Sequence, residues 1–154
     1  MLSGPGHQLA IRRPAESATL NCMGTGGLGE REQRLLGRGI DLFNERSYWH
    51  AHEAWEEAWT PDRWGPDRGF WKGLIQVAAG CLHCSRHNAR GARSKWTGGT
   101  GYLRPYLPRH HGVELEPLVR RVAELLAAIE SGVWPAPGDL PLIEAADRPR
   151  LGGR

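Results

Sequence analysis

Apolar residues recur at helical spacing in five stretches of this chain, and the periodicity stops between them at Gly, Pro, Asn or Ser. The first stretch, about residues 30–45, sets Leu35, Leu36, Ile40 and Phe43 on one face. The second, Tyr48 to Trp59, follows a short turn in which Ser47 stands as an N-cap. "TPDRWGPDRG" ends it. The third begins at Asp67 or Phe70 and runs to Arg86, and Asn88 is placed to cap a fourth from Ala89 to about Leu103. "TGGTG" at 97–101 weakens that helix, since each glycine costs about 1 kcal/mol. "PYLPRHHG" reads as a loop, with His110 and His111 exposed. The fifth helix spans about 114–131, with Leu118, Val122, Leu125, Leu126 and Ile129 on one face and Gly132 as its C-cap.

This pattern predicts an all-α fold: a single-domain antiparallel bundle of about five helices over residues 30–134. A Gly- and Pro-rich tail precedes it (residues 1–29). An irregular tail follows (residues 135–154), from which Leu140, Leu142 and Ile143 can dock on the core. No internal repeat is visible.

Composition agrees. Val and Ile are scarce beside Leu, Ala, Glu and Arg, which disfavours a large sheet. Three cysteines without framework spacing argue against a secreted disulfide scaffold and for a cytoplasmic protein. No apolar run reaches the ~20 residues of a membrane span. Charge is segregated: from Arg68 to Arg109 there are eight Arg or Lys and no acid, whereas Glu45 to Asp62 holds five acids and one base. A small anionic ligand is the partner this imbalance points to. Arg86, Arg90, Arg93, Lys95, Arg104 and Arg109 could also meet phosphate, but no recognisable nucleic-acid fold accompanies them.

The chemistry concentrates in "YWHAHEAWEEAW", residues 48–59. At about 100° per residue, His52, Trp55 and Trp59 fall within about 40° of Tyr48, and Glu56 lies at about 80°. Glu53 sits on the flank, Glu57 and His50 point to water, and Ala51, Ala54 and Ala58 form a smooth third face. His52 and Glu56, four apart, are neighbours on successive turns. A carboxylate walled in by indoles needs a cation or a donor. Imidazole and carboxylate together suit Zn²⁺, Mn²⁺ or Fe²⁺. On the third helix Gln76 and His83 share a stripe bordered by Gly73 and Gly80. If that edge meets the alanine face, His83 joins His52 and Glu56 as a metal ligand. Tyr48, Trp55, Trp59 and Gln76 then wall the pocket, and Glu53 or Glu56 serves as general base on bound water. Cys81 and Cys84 fall in the apolar arc and read as core.

Three motifs in order, H-x-x-x-E-x-x-W at His52, Glu56 and Trp59, Gly-Leu-Ile-Gln at 73–76 and Asn-x-x-Gly-Ala at 88–92, resemble domain-of-unknown-function family 309. The resemblance spans about residues 32–107. It implies a small all-helical prokaryotic protein whose His-Glu-Trp motif is suspected of metal binding, and it implies no particular reaction. "SKWTGGTGYL" departs from the leucine-rich run expected in the fourth helix. The sequence thus supports a metal-binding protein, with hydrolysis as the chemistry such a site would serve. The alternative is a non-catalytic scaffold in which His52 and Glu56 fix helix geometry and the basic face binds a partner or nucleic acid.

Overall fold

The computed structural model describes residues 27–146. The tail expected over residues 1–26 and the last residues, 147–154, lie outside the described residues. Five helices carry the described residues: α1 (Glu30–Asn44), α2 (Tyr48–Trp59), α3 (Arg68–Ser85), α4 (Ala89–Leu103) and α5 (Leu115–Glu130). The fold is all-α, as the periodicity predicts. No helix among the described residues is long and apolar enough to cross a membrane.

The chain turns between α1 and α2 and between α3 and α4 by the same device. Each first helix closes with a residue in the left-handed region, Arg46 (φ 67°) or His87 (φ 57°). The next amide turns back to the helix: Ser47 N–H donates to the Leu42 carbonyl at 2.8 Å, and Asn88 N–H to the His83 carbonyl at 2.9 Å. Carbonyls in the last turn of a helix otherwise lack the full set of intrahelical partners, and the His83 carbonyl accepts from Arg86 N–H as well. The residue that closes one helix also begins the next, so Ser47 and Asn88 are both N-cap residues. Asn88 caps with its side chain, accepting from Gly91 N–H at 2.9 Å; Ser47 makes no such bond.

The correspondence extends along both hairpins and corrects the reading that no repeat is present. Trp55 is fully buried across Gly39 and donates its indole N–H to the Leu36 carbonyl at 3.3 Å. Trp96 is fully buried across Gly80 and donates to the Val77 carbonyl at 3.2 Å. Every residue in the second set stands 41 places after its counterpart in the first. Between residues 35–60 and their counterparts only Gly39/Gly80, Ala51/Ala92 and Trp55/Trp96 are identical, and all six are buried. A repeat kept at three internal positions leaves no run of similarity to read.

Glycine placement also corrects the expected helix pairing. Gly73 and Gly80 do not receive the alanine face of α2; they lie under Leu103 and Trp96 of α4. Conversely, Gly98 and Gly91 of α4 lie under Gln76 and His83 of α3. Each set is spaced by seven residues, about two helical turns, so large side chains of one helix enter gaps in the other. This close fit accounts for α4 running unbroken through "TGGTG". Packing stabilises the helix by more than glycine's propensity costs it. Ala51, Ala54 and Ala58 are buried within α2, between α1 and α3.

"PYLPRHHG" is not a plain loop. After a short 3₁₀ turn (Arg104–Tyr106) it forms a small hairpin, β1 (Arg109–His110) with β2 (Val113–Glu114), His110 facing Val113. The two connecting residues, His111 (φ 47°) and Gly112 (φ 76°), are both left-handed, as a two-residue hairpin turn requires. Arg109 and Glu114 form an ion pair across it. Leu140 and Ile143 of the C-terminal segment are buried, whereas Leu142 stays exposed. Asn44 at the end of α1 holds that segment, donating to the Ile143 carbonyl at 2.9 Å and accepting from Ile143 N–H at 2.8 Å.

Candidate metal centre

The residues first considered from the sequence are placed as follows. Tyr48 and Trp55 are buried; His52 and Trp59 are half-buried; Glu53, Glu56 and Glu57 are exposed. His52 Nε2 lies 3.7 Å from Glu56 Oε1, and the Glu56 side chain is 48% exposed, so indoles do not enclose it. The buried arc of α2 is centred between the aromatics and the alanines, because α1 and α3 close on that side. His52 and Glu56 fall on its rim. There His52 stacks on exposed Trp49, ring centres 5.3 Å apart. Three buried polar atoms of α2 have no hydrogen-bond partner: the Tyr48 hydroxyl, His52 Nδ1 and Trp59 Nε1. Burial pushes the Tyr48 hydroxyl well above the ordinary tyrosine range.

Gln76 packs on Gly98, and His83 Nδ1 is paired with the Asn88 side-chain amide at 3.1 Å. The α3–α4 interface therefore holds His83, and the structure does not bring it to His52 and Glu56 as a three-donor group. Cys81 and Cys84 are buried free thiols, and burial raises both above the ordinary thiol range, as core cysteines require.

Among the described residues, one group of His, Cys, Asp or Glu brings three donor atoms within 4.8 Å of one another: Asp67, His110 and His111. His110 Nε2 lies 2.7 Å from one Asp67 carboxylate oxygen, and His111 Nε2 lies 2.7 Å from the other. The side chains are 20%, 28% and 10% exposed for Asp67, His110 and His111, which corrects the expectation that both histidines are exposed.

Local structure explains the convergence. Asp67 is the N-cap residue of α3, yet its carboxylate makes no capping bond and faces the imidazoles instead. An N-cap aspartate that forgoes its helix is a departure from local rule, and such departures gather at functional sites. Consecutive residues of an extended strand point to opposite faces. The left-handed turn at His111 breaks that alternation, so the two rings sit 4.1 Å apart, centre to centre. Phe70, one turn into α3, meets both imidazoles edge-on at 5.0 and 5.4 Å, and Tyr106 lies 4.7 Å from His110. Tyr106 is fixed by its hydroxyl, which donates to the Pro66 carbonyl at 2.7 Å. An aromatic-sided cluster of imidazole and carboxylate thus exists, with Phe70 and Tyr106 where the sequence reading placed tryptophans.

Burial alone would raise the Asp67 carboxyl. Hydrogen bonds from the two histidines, with their positive charge, outweigh it and hold the group below the ordinary aspartate range. Sequence reasoning missed this cluster because 43 residues separate His110 from Asp67 and the aspartate was read only as a possible start of the third helix. The available signal was His111-Gly112 between Arg109 and Val113, a pair suited to a hairpin turn.

No curated protein matches this chain. Residues 36–94 match the model of the family described as Domain of unknown function (DUF309), a stretch that holds His52, Glu56, Asp67 and His83 but not His110 or His111. Over that stretch the chain is similar to this family.

Proposed function

We propose that this protein binds a divalent metal ion through Asp67, His110 and His111, and that the ion serves hydrolysis. The observation that carries the reading is the convergence of three donor atoms within 4.8 Å. Two imidazoles and one carboxylate make a donor set used for Zn²⁺ in hydrolases and for Fe²⁺. Three protein donors leave room for water or a ligand, as catalytic sites do and closed structural sites do not. Water held there becomes acidic enough to supply hydroxide near neutral pH. Phe70 and Tyr106 limit the orientations open to the imidazoles. The competing account of the same contacts is a doubly hydrogen-bonded carboxylate that pins the hairpin to α3.

A second reading keeps His52 and Glu56 as ligands, with Tyr48, Trp55 and Trp59 on the same helix and Glu53 as base, and without His83 and Gln76, which the α3–α4 interface holds. The unpartnered, buried His52 Nδ1 favours it. Elemental analysis of full-length protein, loaded with zinc and then dialysed, separates the readings. About one equivalent that is lost in Asp67→Asn and His111→Ala but kept in His52→Ala supports the first. Loss in His52→Ala alone supports the second, and folded protein free of metal in every case contradicts both.

A further inference from the structure

The connection from α2 to α3 and the start of α3 carry three cations laid on aromatic rings. The Arg63 guanidinium is 5.4 Å from the centre of the Trp59 ring. The Lys72 ammonium is 5.8 Å from that ring and 5.0 Å from the Tyr102 ring. Arg68 lies 5.4 Å from Trp64, whose indole is 84% exposed. Arg68 and Lys72, four apart on α3, share one face. Among the described side chains none of these three cations pairs with a carboxylate. Lys72 first, and then Arg68, hold the Tyr102 hydroxyl below the ordinary tyrosine range.

We infer that this patch binds a small nucleoside phosphate, the base stacking on Trp64 and the phosphate lying among Arg63, Arg68 and Lys72. Uncompensated cations repel one another, and an anion relieves that repulsion with charge-assisted hydrogen bonds. A flat exposed indole beside them offers the stacking surface that a free phosphate does not need and a base does. Of the other basic residues on this side of the sequence, Arg109 is paired with Glu114 and Arg93 with Glu130, so the polymer is left to the test. The inference goes beyond the metal reading and does not depend on it.

The test is titration of adenosine monophosphate into the full chain in chelator, read by calorimetry and tryptophan fluorescence. Running it without metal keeps its outcome separate from the ion question. The nucleotide binds, and adenosine or inorganic phosphate alone binds at least about tenfold more weakly. Arg68→Ala and Lys72→Ala each weaken nucleotide binding about tenfold. Trp64→Ala, at a site too exposed to disturb folding, does likewise and abolishes the preference over phosphate. No binding at millimolar nucleotide overturns the inference, as do affinities unchanged in all three variants. A twelve-nucleotide single strand that binds far more tightly, with steep salt dependence, overturns it in favour of a polymer.

Discussion

Trp96 stands on α4 where Trp55 stands on α2: each indole lies across a glycine of the preceding helix and donates to a carbonyl 19 residues back. The glycines under them, Gly39 and Gly80, are therefore places for another residue's ring. A methyl group there would collide with the indole. Overpacking of this kind costs about 1–3 kcal/mol. Gly39→Ala and Gly80→Ala should each lower the urea midpoint accordingly. Gly37 and Gly101 have nothing within 4 Å of an added methyl, so alanine there should stabilise by about 0.5–1 kcal/mol. Equal effects at all four positions would show that the rings do not dictate glycine.

The two N-caps differ in a way that can be measured. Asn88→Ala removes the acceptor for Gly91 N–H and the partner of His83, and should cost about 1 kcal/mol. Ser47→Ala removes no capping bond and should cost a few tenths at most. Thermal unfolding of both variants checks the contrast.

Asn44 is the clamp between α1 and the C-terminal segment. Asn44→Ala leaves the Ile143 amide and carbonyl without these partners. Hydrogen exchange should then quicken over residues 140–146, where Glu144 and Ala146 also bond to the hairpin, while the α3–α4 pair keeps its protection. Unchanged exchange in that segment would contradict the clamp.

Acid stability follows from Asp67. Its folded pKa lies below the ordinary 3.8, so its contribution is fully present above that value and is lost as pH falls through the lowered folded one. In metal-free protein the urea midpoint should drop over that window. Asp67→Asn should start less stable near neutrality and show a shallower drop. A variant with the same acid slope as the parent would mean that the histidine contacts do not hold the carboxylate.

Helix positions were legible in the sequence because amphipathic spacing, Asn88 and Gly132 are local signals. Partners were less so. Gly73 and Gly80 announced close approach without saying by what, and only the matching seven-residue spacing of Leu103 with Trp96 points to α4. "TGGTG" looked like a weak helix because propensity was visible and tertiary packing was not. On α2 the wheel placed Tyr48 and Trp55 inward. It did not reveal that the alanine side would be buried too, which turns His52 and Glu56 to the rim. The Asp67, His110 and His111 cluster depends on a left-handed histidine and a helix start meeting across 43 residues, which periodicity does not report.

The central claim is that Asp67, His110 and His111 hold one divalent ion. X-ray absorption on zinc-loaded, dialysed protein tests it most directly. The account predicts nitrogen and oxygen neighbours at about 2.0–2.2 Å with scattering from two imidazoles, reduced to one in His110→Ala and preserved in His52→Ala. A spectrum with no ordered imidazole, or one that changes with His52→Ala and not with His110→Ala, would contradict it.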